Sequence, residues 1–121
     1  MTRHDKRLSE LCIIANDTSE FQKNRHAAAI YIGSKLISIG VNQLKSHPLQ
    51  AKFGINSDAI FLHAEIDAIR NALKRVTPLD LQKATLYVAR TKNGIVRMSK
   101  PCNGCQRAIM HFNIPNVYWT E

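Results

Sequence analysis

Two short segments of the chain carry residue types that bind transition metals. One is His63-Ala64-Glu65 and the other is Pro101-Cys102-Asn103-Gly104-Cys105. Imidazole nitrogen and thiolate sulfur are ligands that Zn²⁺ prefers, in tetrahedral geometry. His63, Cys102 and Cys105 supply three protein ligands, which leaves the fourth position open for water. That arrangement is typical of catalytic zinc and predicts Zn²⁺ as the cofactor.

The cysteine spacing supports a metal site and leaves two other interpretations open. Cys102 and Cys105 are three positions apart, so both sulfurs fall on one face of a first helical turn, where the helix dipole favours thiolate. The alternatives are a redox pair, or a structural zinc site with Cys12 or His111 as a fourth ligand. Cys12 lies on the apolar face of a predicted helix and His111 lies late on another helix, so the three-ligand site is favoured.

Glu65 follows His63 by two positions and is the candidate general acid and base. A carboxylate beside a zinc-bound water can take a proton as hydroxide forms. It can then return that proton to a ring nitrogen and a leaving amine. The pair of segments therefore predicts hydrolytic chemistry.

The two segments together resemble the zinc-dependent cytidine, deoxycytidylate and tRNA adenosine deaminase superfamily, which has the signature H-x-E…P-C-x-x-C. The resemblance implies hydrolytic deamination, in which hydroxide attacks C4 of cytosine or C6 of adenine and ammonia leaves. It also implies that Asn42 of Gly40-Val41-Asn42 contacts the sugar or base, and that the backbone N–H of Ala64 contacts the ring. For Asn42, a turn residue that ends a strand is the alternative.

The branch of this superfamily is less sharply indicated than the reaction. His63 as a ligand resembles the deoxycytidylate, tRNA adenosine and polynucleotide branches. Asp67 stands where deoxycytidylate deaminases commonly have Asn, and Asn103-Gly104 lacks the Met that is frequent in tRNA-acting enzymes. We expect cytosine in a nucleoside or nucleotide as substrate. The alternatives are a polynucleotide deaminase, acting on cytosine in single-stranded DNA or RNA or on adenosine in tRNA, and an inactive deaminase-fold binding subunit.

The charge of the chain indicates an anionic ligand. Seventeen basic residues against nine acidic ones give a net charge of +8, which favours a nucleotide phosphate and keeps nucleic acid as an alternative partner. The candidate phosphate-binding residues, which solvation would explain equally well, are Lys45, His47, Lys52, Lys92, Arg97 and Lys100. His26, at the start of the first strand, is predicted to lie in the core or at an edge, and a position facing the pocket is the alternative. Tyr118 and Trp119 are predicted to pack in the sheet, and a base-stacking platform is the alternative.

Apolar periodicity predicts the elements that must position these residues. Three helices are expected, over residues 5–17, from Leu62 to Val76, and over 101–112 with Pro101 at the first position. Four strands are expected, over residues 26–32, 35–41, 84–89 and 117–119. Two segments are predicted to be irregular, residues 42–60 and the polar stretch 91–100.

The order α-β-β-α-β-α-β predicts an α/β protein. We expect a three-layer cytidine deaminase-like fold with a mixed sheet of about four strands, the last two parallel, in one domain over residues 1–121. An open sheet edge would favour a homo-oligomer. No apolar run approaches the roughly 18 residues of a membrane span, and no apolar stretch follows the N-terminal charges, so no membrane association and a cytoplasmic location are expected.

Overall fold

The computed structural model describes residues 2–18, 24–53 and 61–121, which form helices around one mixed sheet. A 3-10 helix, Asp80–Lys83, precedes the third strand. The helices and strands are α1 (Arg3–Thr18), β1 (Asn24–Ile32), β2 (Lys35–Val41), α2 (Pro48–Phe53), α3 (Ala64–Ala72), β3 (Ala84–Lys92), β4 (Ile95–Arg97), α4 (Asn103–His111) and β5 (Asn116–Trp119). Among the described residues, no helix is both long and apolar enough to cross a membrane.

The sheet is built on the antiparallel pair β1 and β3. β2 continues from β1 through a tight hairpin at Gly33, which has φ +61°, so the predicted hairpin is confirmed. β5 pairs parallel with the first half of β3, which confirms the predicted parallel pair. β4 pairs antiparallel with the end of β3, on the same side of it as β5. The mixed sheet has five strands, one more than expected.

The extra strand comes from the stretch 91–100, which was wrongly predicted to be a loop. β3 runs on to Lys92, and the chain reverses at Asn93 (φ 53°) and Gly94 (φ 78°) before β4. Two successive residues with positive φ match a hairpin turn of the Asn-Gly type. All three residues of β4 are exposed, so no alternation of apolar and polar residues marks the strand in the sequence.

The other differences concern where helices begin and end. Residues 42–60, predicted to be irregular, contain the helix α2, while residues 54–60 lie outside the described part. α1 continues through Asn16 to Thr18. α3 ends at Ala72, well before Thr77-Pro78, although Leu73 and Val76 still pack against the core. α4 begins at Asn103, so Pro101 lies outside it and Cys102 is its N-cap.

Helices cover both faces of the sheet, as the three-layer prediction requires. On one face α1 packs through Leu11 and Ala15 against Tyr87. On the other face α2, α3 and α4 share a larger apolar cluster that includes Ile66 and Cys105. Cys12 belongs to the α1 face, where burial raises the pKa of its thiol. It is therefore separated by the sheet from the other two cysteines.

Gly40 lets α3 lie directly against β2. A Cβ atom at this position would stand 2.2 Å from the backbone nitrogen of Ala68 and 2.4 Å from the carbonyl oxygen of Ala64. Real Cβ atoms do not approach backbone atoms so closely, so only glycine permits this packing. The contact fixes the start of α3 relative to the end of β2.

Candidate active site

The starts of α3 and α4 meet at the end of the sheet where β1 begins and β2 ends. His63 is the N-cap of α3 and Cys102 is the N-cap of α4, with Cys105 one turn further on. The Nδ1 atom of His63 lies 3.6 Å from the sulfur of Cys102 and 3.3 Å from that of Cys105. Within residues 2–18, 24–53 and 61–121 these three form the one group of side chains positioned to hold a metal ion.

The geometry of these three side chains fits Zn²⁺. Zinc lies about 2.0–2.1 Å from a ligating nitrogen and about 2.3 Å from a sulfur, in tetrahedral geometry. Those lengths place nitrogen and sulfur ligands roughly 3.6 Å apart, close to the two distances observed. One imidazole and two thiols form a donor set that zinc prefers, and a three-ligand site keeps one position open.

The protonation of the two thiols differs. Hydrogen bonds from Cys105 and His63 hold the pKa of Cys102 at about 3. The Cys102 sulfur also accepts the backbone N–H of Cys105 at 3.5 Å, as an N-cap does. The hydrogen bond with Cys102 and burial raise the pKa of Cys105. One thiolate is therefore ready at the N-terminus of α4, and a bound cation would favour the second.

Glu65 lies in the first turn of α3, buried at 5% exposure. Burial raises the pKa of its carboxyl above the ordinary value. A buried carboxylate that holds protons more tightly than usual is suited to accept one from water near neutral pH.

A cavity of about 300 Å³ opens beside these residues. That volume is at the small end of ligand pockets. Glu65, His63 and Cys102 line it together with residues from β1, β2 and the segment before α4. The remaining lining residues are Asn24, His26, Asn42, Phe61, Leu62, Ala64, Ser99 and Lys100.

Both candidate substrate contacts lie on the cavity wall. Ala64 is the first residue of α3, where backbone N–H groups have no acceptor within the helix. The side chain of Asn42 accepts the N–H of His26 at 3.0 Å and donates to the carbonyl of Asn24 at 2.8 Å. Asn42 therefore joins the end of β2 to the start of β1 while it faces the cavity.

His26 also belongs to the cavity, whereas a core or edge position was predicted. Burial and the nearby charge of Arg90 lower the pKa of His26 to about 4. The imidazole is therefore neutral near pH 7 and offers one donor and one acceptor. No periodicity in the sequence distinguishes such a residue from its alanine neighbours.

Two buried side chains that the sequence reasoning missed support α3. Gln50 of α2, fully buried, accepts the backbone N–H of His63 at 3.0 Å. Asp67, 2% exposed, accepts the backbone N–H of Val41 at 3.0 Å and the side-chain N–H of Gln43 at 2.8 Å. Its other oxygen pairs with Arg70 at 2.6 Å. Because Asn42 lies between Val41 and Gln43, Asp67 holds the strand end that carries it.

The segment before the cysteines is fixed to the sheet by Ser99 and Thr120. The Ser99 hydroxyl donates to the carbonyl of Val88 at 2.8 Å, and the Ser99 N–H donates to the carbonyl of Thr120 at 2.9 Å. Both side chains are buried. These bonds set the path of the chain toward Cys102.

The candidate phosphate-binding residues are divided between two places. Lys100 lines the cavity, and Lys92 and Arg97 lie on the hairpin next to it. Lys45, His47 and Lys52 do not line the cavity. Tyr118 stacks on His4 with ring centroids 3.9 Å apart, and Trp119 packs against the core, so the packing predicted for these aromatic residues is confirmed. His111 lies beside Phe53, apart from the metal-binding group.

One protein family matches the chain over nearly its whole length. The family is described as the cytidine and deoxycytidylate deaminase zinc-binding region, and residues 2–121 match it. No curated protein matches the chain.

Solved structures share the fold. dCMP deaminase from the cyanophage S-TIM5, in apo form, has a TM-score of 0.66 and 16% identity, with 98% of this chain and 84% of that chain covered. The same phage enzyme in complex with dCMP and dUMP has a TM-score of 0.59 and 15% identity, with coverages of 98% and 82%. At such identities the likeness shows a common fold, and the predicted cytidine deaminase-like architecture is confirmed.

Proposed function

The chain belongs to the cytidine and deoxycytidylate deaminase family that is defined by this zinc-binding region, and from that premise we propose that it hydrolyses the amino group of cytosine in a nucleoside or nucleotide. The products are the uracil form and ammonia. The observation that carries the proposal is the buried Glu65 on the wall of the same cavity as His63 and Cys102. A binding subunit without activity has no need of a carboxylate beside a three-ligand metal site.

His63, Cys102 and Cys105 are the residues that would hold zinc. Zinc bound there would supply a Lewis acid able to bring the pKa of a water toward about 7. Glu65 takes the proton of that water, because its raised pKa makes it a stronger base than an exposed carboxylate.

Glu65 then delivers the proton to N3 of the ring as oxygen bonds to C4. The second proton of the water passes by the same carboxylate to the amino group, and the C4–N bond breaks. Cytosine and one water thus give uracil and one ammonia, and Glu65 ends in its starting state. We assign ring contacts to the backbone N–H of Ala64 and sugar or base contacts to Asn42, since both line the cavity.

A nucleotide is the first substrate to test. The phage enzyme of the same fold is described in complex with dCMP and dUMP, and Lys100 offers a cation on the cavity wall for a phosphate. We also propose that residues 1–121 act as one domain in a cytoplasmic homo-oligomer. In the described part of the chain β5 pairs only with β3, which leaves an edge for self-association. Sedimentation of the zinc-loaded protein tests the oligomer.

Ammonia release from cytosine, cytidine, deoxycytidine and their monophosphates tests the reaction. We expect release from at least one of them, and a fall of about 10²–10⁴-fold in kcat for Glu65→Gln, which removes the base and keeps the volume. Equal zinc content in the two proteins is the control. If zinc-loaded protein released no ammonia from any of these compounds, the proposal would be wrong.

A further inference from the structure

A row of four cations lies beside the cavity, on the same face of the sheet. Along β3, Leu86 and Val88 point toward α3 and α4, while Tyr87 and Ala89 point toward α1. Side chains alternate along a strand, so Arg90 and Lys92 fall on the cavity face. The side chain of Arg90 confirms this placement, because it donates at 2.8 Å to Asn24, which lines the cavity.

Two further cations extend this row. Arg97 of β4 is the partner of Arg90 in the ladder, and directly paired residues project from the same face. Lys100 follows on the cavity wall. We call Arg90, Lys92, Arg97 and Lys100 the cationic strip. Lys92, Arg97 and Lys100 are exposed and Arg90 is half-buried.

No carboxylate in the described part of the chain forms an ion pair with the cationic strip. The ion pair found in the described part of the chain joins Arg70 and Asp67, which both lie on α3. Glu121 and Asp5 instead line a hollow on the α1 face with Val96.

The shape of the strip favours a chain of phosphates over a single one. One or two cations suffice for a monophosphate, whereas four are present here, with Arg90 and Lys92 about 7 Å apart along the strand. The row runs from the cavity to the exposed turn at Asn93-Gly94, and no described residue closes that end. Compact phosphate groups are usually wrapped by backbone N–H groups, which this strip of side chains on a hairpin does not provide.

We propose that the cationic strip binds the backbone of a single-stranded polynucleotide while one base enters the cavity. The phosphates on one side of that nucleotide would follow Lys100, Arg90 with Arg97, and then Lys92. The net charge of +8 complements such a ligand. The strip itself carries no aromatic residue, so charge supplies most of its affinity. Deamination of the entering base rests on the proposed function, but binding of the strand does not.

Strand binding is measured by the fluorescence anisotropy of a labelled single-stranded DNA of about twelve nucleotides with one central cytosine. The zinc-loaded full chain carries Glu65→Gln, so that turnover is suppressed during the measurement. In that background Lys92→Gln/Arg97→Gln is compared with Lys35→Gln/Lys83→Gln, which removes the same charge from exposed positions at the opposite end of the sheet.

We expect the strip variant to lose affinity and the control to retain it. Each lost phosphate contact lowers the slope of log K against log salt by about 0.7 for a single strand. The two together lower it by about 1.4, so between about 50 and about 200 mM salt the parent loses about sevenfold more affinity than the strip variant.

Four results would overturn the inference. These are equal losses in both double variants, no loss in the strip variant, binding of a duplex as tight as that of the single strand, and displacement of the strand by dCTP at concentrations no higher than those of the strand itself. Strand binding that depends on the strip, in a protein whose Glu65 form releases no ammonia, would contradict the proposed function and leave this inference standing.

Discussion

At the scale of single residues, the carboxamide of Gln50 supports the candidate metal site by binding the backbone of His63. It accepts the backbone N–H of His63, the N-cap of α3, whose own side chain makes no capping bond. Its Nε2 atom is buried without a hydrogen-bond partner in the described structure. A buried polar group with an unused donor lowers the stability of the fold. The bond from the backbone N–H of His63 to the oxygen of Gln50 offsets that cost and orients His63.

Gln50→Leu is expected to weaken zinc binding about tenfold, because partners that orient a metal ligand usually contribute 10–100-fold. The free energy of unfolding should fall by about 1–2 kcal/mol as the N–H of His63 loses its acceptor. Competition with a chromogenic chelator measures the affinity. Gln82→Leu, at an exposed position of the 3-10 helix, is the control. An unchanged zinc affinity in a destabilised Gln50→Leu protein would show a role in packing alone.

The grouping of His63, Cys102 and Cys105 close to Glu65 could be predicted from the sequence, because the chemistry of these residues is specific and their spacing short. Gln50 and Asp67 could not. A glutamine or an aspartate acquires its role only from the backbone N–H that folding brings within reach, and those partners lie 13 and 26 positions away. The position of His26 was wrongly predicted for the same reason, since the cavity that it lines is formed by segments distant in sequence.

At the scale of elements, the packing of α3 against β2 sets the position of the α3 residues that line the cavity. The contact depends on Gly40, where an added Cβ would meet three backbone atoms of α3 between 2.2 and 2.8 Å away. Backbone cannot rotate aside as a side chain does. Relief therefore requires α3, with His63 and Glu65 at its start, to move away from the sheet.

Gly40→Ala is expected to lower the free energy of unfolding by about 1–3 kcal/mol. Deaminase activity should fall roughly 10²-fold, because a shift near 1 Å misplaces the acid-base group. Gly33→Ala is the matched control: its added Cβ meets nothing within 4 Å, but φ is +61°, so it costs stability far from the cavity. Equal kcat in the two variants, measured well below both unfolding temperatures, would contradict this account of α3.

The elements that the sequence failed to indicate are short ones. α2 has six residues and β4 has three, too few for a period to emerge. A signal for α2 was nonetheless present, since Pro48 occupies its first position, where the missing N–H has no cost. The Nδ1 atom of His47 accepts the N–H of Leu49 at 3.1 Å and caps the same turn. The longer elements were predicted from the sequence, but the predicted ends of the helices differ from those observed by a few residues.

At the scale of the whole molecule, two apolar layers hold the fold together on either side of the sheet. The α1 layer is built on Leu11, Ala15 and Tyr87, and the α3–α4 layer on residues such as Ile66 and Ile69. Of the three metal ligands only Cys105 is part of a core cluster. The order of elements predicted this division, because helices that alternate with strands must cover the sheet.

Removal of zinc is therefore expected to abolish activity and leave the fold in place. After treatment with a chelator, far-UV circular dichroism should stay close to that of the zinc-loaded protein. The unfolding temperature should fall, since a ligand at 1,000 times its Kd contributes about 4 kcal/mol. Readdition of zinc should restore both the temperature and ammonia release. Loss of the circular dichroism signal on chelation would instead indicate a structural zinc, as in small domains that fold only with metal bound. A fourth protein ligand would then have to exist, and the open coordination position on which the hydrolytic mechanism depends would not.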